Sequence, residues 1–175
     1  MADKLARIQE RLASDIEKTV AFFDSLSVSD WDQPLYTTGS QWQVRHLLAH
    51  FVSAERAYTH YMRDVLQGGP GVPKDFDLDA FNDAETPALS ARPIPELMAA
   101  LRQTRADLTD LTRSMTDADL DRSVYHPWFG QSDMRSMLKL IYRHHMIHLR
   151  DARAALETGR PVPHRDIAPP AASER

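Results

Sequence analysis

The chain of 175 residues contains no cysteine. That absence excludes disulfides, thiolate metal ligands, a cysteine nucleophile and thiol redox chemistry, so any metal must be held by nitrogen and oxygen. There is no excess of positive charge either: 21 Lys and Arg stand against 25 Asp and Glu, a formal net charge of -4. Binders of a phosphate backbone concentrate basic residues, so nucleic acid is not an expected partner. No apolar run approaches the roughly 20 residues that a membrane span requires. The first 20 residues are charged throughout and lack the apolar core of a secretory signal, which makes a cytoplasmic location the expectation, with no membrane partner. Nor does any segment show the two-residue alternation of β-branched side chains that a sheet would need.

What is present is a helical period. From residue 3 to about 26, Leu5, Ile8, Leu12, Ile16, Val20 and Phe23 recur at three- and four-residue spacings with charges between them. "SVSDWDQPLYTTGSQ" then breaks the helix, and Ser40 is the expected N-cap of the next. Trp42, Leu47, Leu48, Phe51, Ala54, Tyr58, Met62 and Val65 carry the period to about Leu66, where "QGGPGVP" stops it. The following 20 residues, "KDFDLDAFNDAETPALSARP", read as a polar loop long enough to be functional. A third helix starts near Pro95 with a stripe of Leu97, Leu101, Leu108 and Leu111. After the aromatic loop "RSVYHPWFGQSD", a fourth runs from about Ser132 to Glu157 and ends at Gly159, ahead of Pro161 and Pro163. The expected architecture is all-α, a four-helix bundle with long connections, forming one domain over residues 1–160 with a flexible tail over 161–175. Bundles of this kind build metal and cofactor sites from side chains that project into the core.

Three of the eight histidines fall in "YRHHMIHLRDA". Residues four apart share a helix face, so His144 and His148 can aim their imidazoles at one point, and His145 with His148 is a second geometric option. On the second helix, "RHLLAHF" places His50 beside the apolar stripe, from where it can supply a third nitrogen. Three imidazoles on one side of a divalent ion leave positions for water and substrate, as a Lewis acid requires. The competing reading is a bundle whose histidines are structural, serving small-molecule binding or dimerisation without catalysis. His46, His60 and His164 read as solvated or hydrogen-bonded, and Pro127 leaves the direction of His126 undetermined. Glu55 and Asn82 are polar candidates to face the site, although a solvent-side ion pair accounts equally well for Glu55. Asp151, with Arg143 and Arg150, could orient an imidazole of the pair.

The order and separation of "WQVRHLLAHFVSAERAY" and "HPWFGQSDMRSMLKLIYRHHMIHLRDA" resemble the DinB-like (YfiT-type) superfamily of metal-dependent four-helix bundles, across residues 3 to 158. The resemblance implies one divalent metal, zinc, nickel or iron, held by His50, His144 and His148, with His145 left as a neighbour on an adjacent face. It further implies a homodimer and a metal-dependent enzyme, of hydrolase type or transferring a low-molecular-weight thiol, acting on a small molecule.

Overall fold

In the computed structural model, which describes residues 4–164, the four long apolar periods are helices. They are α1 (Lys4–Asp24), α2 (Val44–Leu66), α4 (Ile94–Arg113) and α5 (Met134–Thr158). α1 packs against α4 and α5, and α2 packs against the same two, so the four helices form a closed ring of a four-helix bundle. α5 starts where the Asp133 carboxylate accepts the Ser136 N–H at 2.8 Å. It ends at Gly159, whose φ of 65° is the left-handed conformation that only glycine adopts freely.

Two elements depart from the expected pattern. The supposed polar loop contains a fifth helix, α3 (Leu78–Ser90), capped by the Asp77 carboxylate on the Ala80 N–H. Pro87 lies inside it, where proline removes an N–H and reads as a breaker; burial of Thr86, Leu89 and Ser90 against α2 outweighs that defect. The aromatic loop is a short antiparallel hairpin, β1 (Ser123–His126) with β2 (Gly130–Asp133), in which His126 faces Gly130. Ser40 is not the N-cap of α2. Gln43 caps it in a reciprocal arrangement in which the His46 Nδ1 accepts the Gln43 N–H at 3.1 Å, and the Ser40 hydroxyl instead donates to Asp83.

The core has two apolar halves with a polar layer between them. One half gathers Phe23, Leu47, Phe51, Leu101 and Leu149; the other gathers Leu12, Met62, Leu108, Met134 and Ile141. At the boundary each long helix contributes one side chain: Asp15 from α1, Glu55 from α2, Arg105 from α4 and His145 from α5. The Arg105 guanidinium donates to both Glu55 oxygens, to Asp15 at 3.0 Å and to the Leu12 carbonyl. The His145 Nδ1 lies 3.1 Å from Asp15 Oδ2, and its ring stacks on Phe51 at 4.0 Å. Burial works against the charge of Arg105, but the attraction and hydrogen bonds of Glu55 and Asp15 outweigh it and raise its pKa.

The segment between α1 and α2 is tied to the chain beyond α5. Val162 donates its N–H to the Leu35 carbonyl at 2.8 Å and accepts the Thr37 N–H at 3.0 Å. Tyr36 is thereby held over α5. The rest of the expected tail, 165–175, lies outside the described residues.

Candidate metal centre

His50, on α2, faces His144 and His148, one turn apart on α5, and all three imidazoles are buried. Their Nε2 atoms converge: His50 to His144 is 2.9 Å and His148 to His144 is 3.1 Å. Burial, reinforced by the neighbouring histidines, holds all three pKa values low, that of His50 at about 3. At neutral pH the rings are therefore uncharged, each with one proton for two nitrogens.

The His148 Nδ1 lies 2.6 Å from the Tyr36 hydroxyl. Burial, with the nearby Asp151 charge, raises the phenol's pKa, so Tyr36 stays protonated. If the His148 proton sits on Nδ1 and is donated to Tyr36, Nε2 is left as a lone pair aimed at the other two rings. Lone pairs converging this closely repel one another unless a proton or a metal ion lies between them. Nitrogens that share an ion at about 2.1 Å are about 3.0–3.4 Å apart when adjacent in its coordination sphere, close to the spacings found. The donor set fits a divalent metal held by nitrogen alone.

Other residues divide into those near the triad and those elsewhere. His145 is buried but turned away from the triad into the polar layer, so it is neither a surface group nor an alternative to His144. Glu55 neither faces the triad nor pairs at the surface; it belongs to the same layer, 1% exposed against Arg105. Asp151 is not the acceptor for His148. Its Oδ1 accepts from Arg150 at 2.8 Å, while Tyr36 takes the position beside the imidazole. His60 is exposed, as expected. His164 is not simply solvated: its ring stacks on His148 at 5.2 Å with an interplanar angle of 10°.

Tyr36 and Arg105 went unnoticed in the sequence. Tyr36 lies in a segment without periodicity, and Arg105 reads as an ordinary polar position of an amphipathic helix. A spacing signal exists only for Arg105, which falls midway between the core residues Leu101 and Leu108.

The triad forms one end of a cavity of about 230 Å³. α2 contributes Tyr58 and Tyr61, α3 contributes Phe81 and Asn82, and the hairpin contributes His126 and Trp128. The supposed loop is thus functional in position, as a helical wall. His126, 3% exposed, stacks on Phe129 at 4.3 Å, and burial lowers its pKa to about 4. Tyr58, its phenol kept protonated by burial, lies with its ring 6.5 Å from that of His144.

A family model described as the DinB superfamily matches residues 11–152. No curated protein matches the chain. Among solved structures the fold is similar to that of YfiT from Bacillus subtilis, at a TM-score of 0.73 and 18% identity, covering 89% of this chain and 88% of that one. YfiT is described as a probable metal-dependent hydrolase with an unusual four-helix bundle topology. An uncharacterised protein from Escherichia coli UTI89 is similar at a TM-score of 0.71 and 14% identity, covering 91% and 96% of the two chains. One from Clostridium difficile 630 matches at 0.70 and 14%, covering 90% and 97%. At these identities the structural likeness concerns the fold.

Proposed function

The chain belongs to the DinB superfamily, and from that membership we propose that it is a metal-dependent enzyme of hydrolase type, with His50, His144 and His148 holding one divalent ion. The observation that carries this reading is the convergence of three buried, uncharged imidazoles at the end of a cavity, with ligand atoms within 4.8 Å of one another. The description of YfiT as a probable metal-dependent hydrolase supports it. When bound, a divalent ion at three nitrogens supplies a Lewis acid that polarises a carbonyl group or activates a weak nucleophile.

The protein's own side chains do the rest. Tyr36 fixes the ring of His148, and a ring that donates its Nδ1 proton to that hydroxyl keeps Nε2 free as a ligand. The Trp42 ring, 4.6 Å from that of His50, covers the triad and keeps bulk water from it. Tyr58 is a neutral hydrogen-bond donor on the cavity wall, within reach of a substrate oxygen. Transfer of a low-molecular-weight thiol is the second form of this reading. It rests on the absence of cysteine, which leaves any attacking sulfur to a co-substrate. The homodimer rests on the family resemblance, and sedimentation at twice the 19.9 kDa chain mass checks it.

The deciding experiment is metal analysis of protein purified without a polyhistidine tag. One divalent ion per chain is expected, and its identity as zinc, nickel or iron is read from the same measurement. Replacing His50 or His148 with Ala should abolish stoichiometric metal. Unchanged content in both variants would sink the triad, and a metal-free wild-type protein would favour the non-enzymatic bundle.

A further inference from the structure

The walls of the cavity carry more information than its metal-ligating end. Among the described residues no Lys or Arg lines it, although the chain has 21 of them. Trp42, Tyr58, Tyr61, Phe76, Phe81 and Trp128 do line it. The one carboxylate among the lining residues is Asp79 on α3, and it is exposed, which places it at the rim.

Each of these observations constrains what can enter. A carboxylate buried among aromatic rings without a cation beside it loses its hydration with little to replace it. A bound ion could accept an anionic or carbonyl group at the triad end, and no described Lys or Arg lies elsewhere on the walls to take another. The further carboxylates of a ligand that carries several would meet neutral donors such as Tyr58 and Asn82 on the walls and the carboxylate of Asp79 at the rim. Aromatic rings attract flat apolar bodies and, through their negative faces, cations. Asp79 favours a cation at the mouth. As for size, a cavity of about 150 Å³ is known to take benzene, so this larger one has room for one or two fused rings.

We propose that the cavity takes a small aromatic ester or amide of one or two rings, with its carbonyl toward the triad and an outer end that is uncharged or an amine. This rests on the reading of the triad as the reactive centre. It also bears on the thiol form of that reading, since a co-substrate with several carboxylates matches these walls poorly and one with none does not.

The test uses the full chain as purified, with its metal content measured in the same preparation, and three probes of one ring system: 2-naphthylmethylamine, 2-naphthalenemethanol and 2,6-naphthalenedicarboxylate. Calorimetric titration should show the amine and the alcohol binding at least tenfold more tightly than the dicarboxylate. Asp79→Asn should weaken the amine by about two- to fivefold, the scale of an exposed charge pair, and leave the alcohol unchanged. Ala57→Phe, which fills the cavity from α2, should abolish binding of both while metal content persists. Tighter binding of the dicarboxylate than of the amine, or no binding of any probe, overturns the proposal. If the order of the probes holds in protein with no metal, the aromatic cavity stands and the metalloenzyme reading falls.

Discussion

Tyr36 shows how much of a site can depend on a side chain that is not itself a candidate ligand. Its hydroxyl lies 2.6 Å from the His148 Nδ1, a contact that holds the ring with Nε2 toward the triad. Loss of such an outer partner generally lowers metal affinity about 10- to 100-fold. Tyr36→Phe should therefore keep the fold and a full complement of metal at high metal concentration, yet release it to a competing chelator at about 10- to 100-fold lower chelator concentration. Unchanged competition would remove Tyr36 from the site. The same loss is not expected of His145→Gln, because His145 points into the polar layer although it is adjacent to His144 in sequence.

At the scale of the helices, the polar layer is the feature with the largest energetic stake. Removing one partner of a buried ion pair leaves an uncompensated charge and costs about 3–5 kcal/mol. Arg105→Met should destabilise the protein by about that much in urea denaturation, because Glu55 and Asp15 then lose the guanidinium that pairs with both. Adding Glu55→Gln and Asp15→Asn to the same variant should recover a large part of the loss; failure to recover would mean that the layer stabilises by packing and not by charge. The four long helices were legible because apolar spacing is local, and so was the shared face of His144 and His148; the choice of that pair with His50, 94 residues before His144, came from the family resemblance and not from spacing. α3 was hidden by its length of 13 residues and by Pro87, whose cost is offset only by packing on α2. The hairpin was hidden because its four-residue strands, SVYH and GQSD, carry no sustained alternation. Tyr36 and the true role of Glu55 were illegible for a different reason: each depends on a partner roughly 50 or more residues away.

The whole molecule should register these buried imidazoles as a dependence on pH. His126 has a folded pKa of about 4 against an ordinary 6.5. In the unfolded chain it takes up a proton near pH 6.5, in the native protein only near pH 4. Between those values the unfolded state binds more protons, so stability falls as pH drops through the window and the loss is complete below it. That difference corresponds to a penalty on the order of 3 kcal/mol. In metal-free protein, His126→Phe, which keeps an aromatic ring against Phe129, should narrow its stability gap to wild type, or overtake it, by about that amount between pH 7 and pH 4. A gap independent of pH would mean that His126 takes up its proton in the fold as readily as in the unfolded chain. No described helix is long and apolar enough to cross a membrane.

His144 and His145 are consecutive, and neighbours on an α-helix point about 100° apart. Rotating α5 by that one step would carry His145 toward the cavity, move His144 off it and put Leu149 where His148 stands, leaving one imidazole from α5 in place of two. Asp15 and Glu55 make the two settings unequal, because only the native one brings an imidazole between them at 3.1 and 3.7 Å. The charged layer thus acts as a keyway for the helix that carries two of the three nitrogens: it lets the bundle distinguish two adjacent, identical residues before any ion arrives.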